Sequence, residues 1–326
     1  MRDAYPEFER HGIRLYAISY DDQEVLSEFS RERGIPYPLL SDVESRVIRQ
    51  YGILNEQIRP GDMLLHGIPY PGSYIINEQG IVVAKFFHDS YKKRDSPEAL
   101  IDAALGQISL APESLQSTAE TPEVRVTAAI RGGQASIRQG IIRHLVVRFE
   151  LSEGLHLYGP PAPTGMIPVD ISIRPQPGLE ILEATVPPSH PLRLKEPPIE
   201  LNVWDGTVDF VIPFFPTGVI ASEVRPLDQP SLRLEVTVRY QACNEDTCLL
   251  PRTESFLFEL PLDVIDVPNI SLHTGHGQRE GSYDGSRHLR RLLIRKIRRN
   301  PLGFLRYIGT HIRLEAAAWI RRMRAG

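Results

Sequence analysis

Residues 232–260 read LRLEVTVRYQACNEDTCLLPRTESFLFEL, and this pattern predicts a β-hairpin. Apolar and polar residues alternate over 232–240, and a second apolar-rich run covers 255–260, which is typical of strands with one buried face. Between the two runs, the turn-forming residues Asn-Glu-Asp-Thr separate Cys243 from Cys248. We therefore expect the chain to fold back here and to bring the two cysteines nearly opposite each other.

The spacing of Cys243 and Cys248 suits a disulfide. Directly opposite residues of an antiparallel pair have Cα atoms about 4.5–5.5 Å apart, and a disulfide joins Cα atoms about 4.4–6.8 Å apart. A ring this short adds little stability, which weakly favours a redox role. The acids Glu245 and Asp246 between the thiols would raise the thiol pKa values and slow attack by these sulfurs. Spacing alone leaves open a structural bridge and a pair of buried free cysteines, whereas a zinc site is disfavoured because no second ligand pair has a suitable spacing.

The region around this hairpin, from residue 124 to about 262, repeats the pattern of short strands between Gly- and Pro-rich turns. The predicted strands are 124–130, 145–151, 169–173, 179–185, 208–214, 232–240 and 255–260. Helical periodicity is absent from this region. Seven or more strands at this spacing favour an antiparallel β-sandwich of immunoglobulin-like kind.

Residues 1–108 show a different pattern, in which strands alternate with helices. The predicted order is β-α-β-α-β-β-α, with strands at 13–19, 37–40, 73–76 and 81–87 and helices after Asp22, at 44–51 and from 97 to about 105. Asp21 or Asp22 caps the first of these helices and Gly34 ends it, while Ser96 caps the last. This order predicts an α/β domain with helices on both faces of one sheet. The following residues, 109–122, are small, polar and rich in Pro, and they are predicted to form a linker.

The C-terminal residues 267–326 combine an irregular stretch, which includes His273 and His276, with two predicted basic amphipathic helices at 286–299 and 301–324. Residues 286–326 hold twelve Lys or Arg and one acid, so their net charge is +11; because the whole chain carries −4, the remainder carries −15. Two interpretations stay open: the tail adsorbs to an anionic membrane surface, or it packs on the protein's own acidic residues. Nucleic-acid binding is not expected, because no aromatic platform is interleaved with the basic residues.

Three stretches of the β-rich region, 154–158 (GLHLY), 240–243 (YQAC) and 248–251 (CLLP), resemble the N-terminal domain of the thiol:disulfide interchange protein DsbD. The resemblance covers roughly residues 124–262. It implies an immunoglobulin-like fold in which the catalytic pair, Cys243 and Cys248, passes reducing equivalents between periplasmic protein partners through a mixed disulfide. The spacing of the pair is one residue shorter than in the best-known members, so which sulfur attacks first does not transfer. The family also shields its cysteines with a cap loop, and residues 188–198 stand in about the right place.

Three stretches of the first region, 16–20 (YAISY), 34–42 (GIPYPLLSD) and 67–76 (GIPYPGSYII), resemble redoxins, the thioredoxin-fold peroxiredoxins of the AhpC/TSA type. The resemblance implies a thioredoxin-like fold and puts Pro71 in the place of its structural cis-proline. Redoxins carry a nucleophilic cysteine at the start of the helix after their first central strand, whereas this chain begins inside or just after that helix and has no cysteine before Cys243. The domain therefore lacks peroxidatic chemistry as given, and a gap or open edge is expected in its sheet. An N-terminal truncation and a degenerate docking domain both explain this, and truncation is preferred.

These patterns together predict an oxidoreductase-like protein: a redoxin-like domain at 1–108, a linker at 109–122, a DsbD-like sandwich at 123–266, and a linker with a basic helical tail at 267–326. Its expected partners are protein dithiols or disulfides of the thioredoxin type, and no cofactor or metal is expected. The rival interpretation is a non-catalytic scaffold with a structural disulfide. The N-terminus shows no secretory signal, which indicates the cytoplasm, whereas exchange chemistry in a truncated chain would indicate the periplasm.

Overall fold

The structure, a computed structural model, describes the chain except for residues 59–65, 89–92, 111–113, 133–135, 195–198, 221–229, 245–246, 264–266, 270–279, 285 and 326. Its described residues form two compact units. The first unit is built mainly from Met1–Ser73 and Glu280–Gly326, and the second mainly from Tyr74–Asp266. None of the described helices is both long enough and apolar enough to cross a bilayer.

The first unit begins with short elements around a small parallel sheet: α1 (Tyr5–Arg10), β1 (Ala17–Ser19), α2 (Gln23–Arg33), β2 (Leu39–Ser41) and α3 (Arg46–Gln50). β1 and β2 pair in parallel, with Ile18 opposite Leu40. α2 begins and ends where the sequence predicts. The Asp22 carboxylate accepts a hydrogen bond from the Val25 amide, and Gly34 closes the helix in the left-handed conformation that glycine adopts without strain.

The predicted hairpin follows, formed by β3 (Gly72–Ile76) and β4 (Val82–Phe87). The side-chain oxygen of Asn77 builds its turn by accepting hydrogen bonds from the amides of Gln79 and Ile81. The short strand β5 (Arg94–Asp95) leads into the predicted helix α4 (Pro97–Leu105), which Ser96 caps. The prediction of one sheet is wrong for the described residues, because β1–β2 and β3–β4 are separate two-stranded sheets.

The expected cis-proline, Pro71, also differs from the structure. Among the described residues the cis peptide bond joins Pro160 to Pro161, so the Tyr70–Pro71 bond is trans and the prediction is wrong. The chain before Pro71 is held by pairing with residues 53 and 54: the Tyr70 amide donates to the Ile53 carbonyl oxygen, and Pro69 forms a bridge with Leu54. This pairing is compatible with the trans bond, which is the lower-energy form of an X–Pro bond by about 0.5–1 kcal/mol.

The second unit is built around two facing sheets. The larger sheet has six strands: β5, β6 (Leu115–Glu120), β7 (Val124–Arg131), β8 (Ile141–Leu151), β11 (Leu179–Ile181) and β14 (Thr207–Pro216). Their order is β11-β14-β8-β7-β6, and β5 pairs with β8 in parallel. The smaller sheet has the order β10-β15-β17, with strands β10 (Asp170–Ile173), β15 (Ser231–Tyr240) and β17 (Arg252–Pro261). Each of the seven strands predicted for this region is present in one of these two sheets.

Side chains from both sheets share one hydrophobic core. Every second residue of β15, from Leu232 to Tyr240, is buried, which confirms the alternation in the sequence. The ring of Phe149 in β8 meets the rings of Phe210 in β14 and Tyr240 in β15 edge to face, with centroids 5.8 and 5.2 Å apart. Aromatic pairs in this geometry add about 0.5–1.5 kcal/mol to the area that they bury. The core therefore fixes the end of β15, where the cysteine loop begins.

Residues 115–120, expected to lie in the linker, form β6 instead. β6 pairs antiparallel with β7 along its whole length, and the hydroxyls of Thr118 and Thr127 hydrogen-bond across the pair at 3.1 Å. Leu115 and Ala119 pack against the sandwich core. The sequence pattern missed this strand because Ser, Thr and Ala give it only a weak apolar alternation.

A third sheet has four short strands: β9 (His156–Tyr158), β12 (His190–Leu194), β13 (Ile199–Asp205) and β16 (Ala242–Cys243). Their order is β12-β13-β9-β16, and all pairs are antiparallel. One residue separates the end of β15 from the start of β16, so the chain passes directly from the smaller sheet of the sandwich into this third sheet. None of these four strands was predicted from the sequence.

The C-terminal segment of the first unit holds a parallel pair, β18 (Val267–Asn269) and β19 (Glu280–Asp284), and the two predicted helices, α5 (Ser286–Arg299) and α6 (Pro301–Ala325). α5 forms ion pairs with acidic residues at and just before α2. Arg291 pairs with Glu28, and Arg295 lies 2.9 Å from the carboxylate of Asp22. α5 therefore packs on acidic residues of its own unit, which was one of the two interpretations left open for the tail.

Candidate functional site

The candidate site is the disulfide between Cys243 and Cys248. β15 and β17 pair from Ser231 opposite Pro261 to Tyr240 opposite Arg252, so the loop that joins these strands holds both cysteines. Within the loop the cysteines form an antiparallel bridge, and their Cα atoms are 4.0 Å apart. This distance is slightly below the window of about 4.4–6.8 Å from which the pairing was predicted. The hairpin and the pairing of the two cysteines are confirmed.

The two halves of the disulfide lie in different surroundings. Cys243 is fully buried and packs in an apolar cluster with Tyr158, Leu201 and Val203. Cys248, in contrast, is exposed. The disulfide therefore joins a buried residue, Cys243, to an exposed residue, Cys248.

Neighbouring strands explain why Cys243 is buried. β16 pairs with β9, which places Cys243 opposite His156, and β9 pairs in turn with β13, which places Tyr158 opposite Val203. Leu192 of β12 packs against the same cluster. β12 lies within residues 188–198, the stretch in which a cap loop was expected, so one side chain of that stretch covers the cluster around Cys243.

Two polar side chains of β9 lie near the sulfur of Cys248. The hydroxyl of Tyr158 lies 3.9 Å from Sγ of Cys248 and 3.2 Å from Nε2 of His156. The His156 ring stands edge to face on the Tyr158 ring, with centroids 5.1 Å apart. Burial raises the pKa of Tyr158 above its ordinary value. Its hydroxyl is therefore a protonated donor at neutral pH, beside the sulfur of Cys248.

Gln241, which is buried, fastens the cysteine loop to the rest of the domain. Its side-chain nitrogen donates to the Leu249 carbonyl oxygen at 3.0 Å, and its side-chain oxygen accepts from the Ile167 amide at 3.1 Å. The Leu249 amide donates to the Ala242 carbonyl oxygen at 2.9 Å. These bonds hold the chain on both sides of the disulfide.

The turn between the cysteines is closed by Asn244 and Thr247. The amide of Asn244 donates to the Thr247 carbonyl oxygen at 2.9 Å, and the Thr247 amide donates to the Asn244 side-chain oxygen at 2.6 Å. Four residues of the sequence analysis lie outside the described residues: Glu245, Asp246, His273 and His276. The effect of the two acids on the thiol pKa values therefore stays a prediction.

Sequence reasoning missed Tyr158, His156 and Gln241 as parts of this site. The stretch GLHLY drew attention to β9 only through its resemblance to the DsbD domain. No local pattern could link Tyr158 to Cys248, because the two are 90 positions apart and β9 is too short to show a period. For Gln241, the signal available was its place directly before a predicted cysteine turn.

In the first unit, the residues that follow β1 and β2 include no thiol, because the chain has no cysteine before Cys243. Tyr20 follows β1, and basic residues of α5 lie over its ring, with Nζ of Lys296 at 5.0 Å from the ring centroid. Burial raises the pKa of Tyr20 to about 12, with the Asp21 carboxylate acting in the same direction and Arg295 opposing both. Among the described residues, side chains of α5 thus lie over the end of β1.

Two family models match separate parts of the chain: the AhpC/TSA family at residues 1–85, and the N-terminal domain of thiol:disulfide interchange protein DsbD at residues 128–260. The chloroplastic peroxiredoxin Q of Arabidopsis thaliana is 31% identical over 104 residues, which are 32% of this chain and 43% of the relative. The chain thus spans less than half the length of this curated relative. Both predicted resemblances are confirmed.

Two solved structures give partial matches. The N-terminal periplasmic domain of ScsB from Proteus mirabilis is 14% identical, with a TM-score of 0.31, over 45% of this chain and 51% of that chain. The complex between the DsbD N-terminal and PilB N-terminal domains from Neisseria meningitidis gives 12% identity and a TM-score of 0.25, over 45% and 85% of the two chains. From the family matches and the observed sheets, the chain joins a thioredoxin-like beginning to a β-sandwich domain of the DsbD N-terminal kind and a helical tail.

Proposed function

We propose that this protein exchanges electrons with protein dithiols of the thioredoxin type through Cys243 and Cys248. The observation that carries the proposal is the unequal exposure of the pair, with Cys248 at the surface and Cys243 buried behind it. A disulfide that closes so short a loop adds little stability, which weakens the rival interpretation of a structural staple. A disulfide with one cysteine at the surface and one buried offers a partner thiolate one sulfur to attack.

The exchange runs in two steps. A thiolate of the partner attacks Sγ of Cys248, the bond to Cys243 breaks, Cys243 leaves as a thiolate, and a mixed disulfide joins Cys248 to the partner. The second thiolate of the partner then attacks the partner's own sulfur in that mixed disulfide, which closes the partner's disulfide and releases Cys248 as a thiolate. Two electrons pass from the partner to this protein, and two protons end on Cys243 and Cys248. The reverse sequence passes the electrons to an oxidised partner.

Tyr158 serves the second step by donating a hydrogen bond to the Cys248 thiolate as it leaves. Its distance of 3.9 Å from Sγ of Cys248 and its raised pKa support this role, because the hydroxyl keeps its proton across the neutral range. A hydrogen bond to a charged group contributes about 1.5–3 kcal/mol, so Tyr158→Phe should slow exchange roughly 10- to 100-fold. His156 orients this hydroxyl from its other side.

We further propose that residues 1–108 take no part in electron transfer in the chain as given, since they hold no thiol. We propose an immunoglobulin-like fold for the sandwich, because all seven strands expected for that fold lie in its two facing sheets. The division at 1–108, 109–122, 123–266 and 267–326 remains a proposal, except that residues 115–120 of the linker join the sandwich as β6. Adsorption of the basic tail to an anionic membrane surface stays a prediction of the sequence.

Single-cysteine variants test the exchange mechanism. Cys243→Ser leaves the exposed Cys248, which should form a mixed disulfide with a thioredoxin whose resolving cysteine has been replaced and whose remaining cysteine is activated with a nitrothiobenzoate group. Cys248→Ser is the matched control, because it leaves one thiol that is shielded by Tyr158 and Val203. We expect a fast reaction of the first variant and a slow reaction of the second. Equal rates, or a faster reaction of Cys248→Ser, would contradict the proposal.

A further inference from the structure

α6 carries a stripe of exposed apolar side chains that thiol exchange does not use. Six large apolar residues of this helix are between 38% and 69% exposed: Leu302, Leu305, Ile308, Ile312, Ile320 and Met323. The first four follow one another at steps of three or four residues, so they lie on one side of the helix. Contiguous exposed apolar surface of this kind marks an interaction site on most proteins.

α5 carries much less exposed apolar surface. Four of its apolar residues are half-buried, Leu289, Leu292, Leu293 and Ile297, and a fifth, Ile294, is 38% exposed. Its basic residues contact protein groups of the first unit, since Arg291 and Arg295 pair with acids of the α2 region and Lys296 donates to the His66 carbonyl oxygen at 3.1 Å. Within the tail, α5 is therefore the protein-bound helix and α6 is the helix with an open apolar side.

Arginine side chains stand beside the apolar stripe of α6. Arg306 and Arg313 are both exposed, and seven residues separate them, so they lie two turns apart on the same flank. Each directly follows a residue of the stripe, Leu305 or Ile312. An arginine stem can lie along apolar surface while its charged head stays in the polar layer. This arrangement matches helices that lie in the plane of a lipid surface.

We propose that α6 binds along the surface of an anionic lipid bilayer, with Leu305 and Ile312 entering the acyl boundary and Arg306 and Arg313 among the lipid phosphates. This goes beyond thiol exchange and does not depend on it. The charge of the tail favours anionic lipid over a second copy of the chain as the occupant. Two copies packed stripe against stripe would bring arginines of the same sign together, and residues 286–326 contain one acid against twelve Lys or Arg.

Co-sedimentation of the full chain with vesicles tests this proposal. We expect binding to vesicles of phosphatidylcholine with about one third phosphatidylglycerol, and much weaker binding to phosphatidylcholine alone. Leu305→Gln with Ile312→Gln should lower the partition coefficient about tenfold or more, because two large apolar side chains no longer enter the bilayer. Arg306→Gln with Arg313→Gln should lower it about fivefold for each arginine at low salt, and should reduce the preference for anionic vesicles.

The matched control is Ile81→Gln with Leu257→Gln, which removes two equally exposed apolar side chains from outside the tail and should leave the partition coefficient unchanged. Far-UV circular dichroism checks that each variant keeps its helices. Equal binding to neutral and anionic vesicles, an equal loss in the control, or unchanged binding of the Leu305 and Ile312 variant would overturn the proposal. A concentration-dependent dimer that is lost in that variant, without vesicle binding by the wild type, would assign the stripe to a second copy instead.

Discussion

Residues 1–85 and 128–260 both match redox families, but only the second region carries the thiols that such chemistry needs. In the sandwich, one cysteine is exposed and the other is buried against Tyr158 and Leu201. In the first region, Tyr20 after β1 lies under the basic side chains of α5, and the region has no cysteine. A family match therefore indicates a fold, whereas a reaction depends on the side chains that are present.

The largest effect should come from removing both thiols with Cys243→Ser and Cys248→Ser. Disulfide exchange with reduced thioredoxin should fall to background, because neither sulfur remains to carry a mixed disulfide. Peroxide consumption should stay near the uncatalysed rate in the wild type and the variant alike, since the first region holds no thiolate. Fast peroxide consumption that survives in the double variant would place a reactive group in the first region. It would contradict the proposed difference in chemistry between the two regions.

A smaller effect should follow from Asp102→Ala, which tests whether α4 belongs with the sandwich. The Asp102 carboxylate accepts hydrogen bonds from Arg131 at 3.0 and 2.8 Å, and both side chains are largely buried. Breaking a buried pair from one side is costly, so the free energy of unfolding should fall by about 3 kcal/mol in urea titrations. Glu235→Ala, which removes an exposed pair with Arg174, is the control and should lower the free energy of unfolding far less. Equal losses of stability in the two variants would show that the Asp102–Arg131 pair stabilises the protein no more than an exposed ion pair does.

Gln241→Ala should lower the free energy of unfolding by less than Asp102→Ala does, because it removes only the two hydrogen bonds that hold the cysteine loop. The expected loss is about 1–3 kcal/mol in the free energy of unfolding, with slower exchange because the loop is less firmly held. Gln176→Ala removes one side-chain bond to the Arg233 carbonyl oxygen at the surface and serves as the control. If both variants lose the same stability and keep the wild-type exchange rate, Gln241 has no special part in the site.

The smallest effects concern pH, and the two regions should respond in opposite directions. Burial lowers the pKa of His144 in β8, so the sandwich should be fully stabilised above the ordinary pKa of about 6.5 and should lose stability as the pH falls below it. The pKa of Tyr20 is raised to about 12, so the first unit should be fully stabilised below about pH 10 and should lose stability as the pH rises from there towards 12.

Urea titrations across this pH range check both directions, with the fluorescence of buried Trp204 reporting on the sandwich and hydrogen exchange of α2 amides reporting on the first unit. His144→Gln should flatten the acid dependence alone, and Tyr20→Phe should flatten the alkaline dependence alone. Variants that flatten neither curve would show that other groups set the pH dependence of each region.

Local patterns were enough to predict the helices and strands whose ends and buried faces are determined by neighbouring residues. The capping of α2 by Asp22 and of α4 by Ser96 depends on residues within one turn, and the buried face of β15 follows from a period of two. The cysteine turn was predicted for the same reason, since its four residues favour a reversal of the chain. These features hold in the structure.

The parts that sequence patterns missed depend on distant partners. β9 is three residues long and buried throughout, so it shows no alternation, and its pairing with β16 joins segments far apart in the chain. The contact of Tyr158 with Cys248 follows from that pairing. The prediction of a cis bond before Pro71 was wrong, because it was taken from the family pattern and the pairing of this segment suits a trans bond. For the tail, charge alone could not decide between lipid and protein, and the ion pairs of Arg291 and Arg295 settle this for α5.

The reduction potential of the Cys243–Cys248 pair tests most directly whether it is a working couple. Full-length protein is equilibrated in glutathione or dithiothreitol redox buffers, and the fraction of free thiol is measured by alkylation and mass shift. We expect a potential above about −300 mV, within the range in which thioredoxin-type dithiols donate and accept electrons. A potential below about −300 mV would mark a structural disulfide and would contradict the proposed exchange.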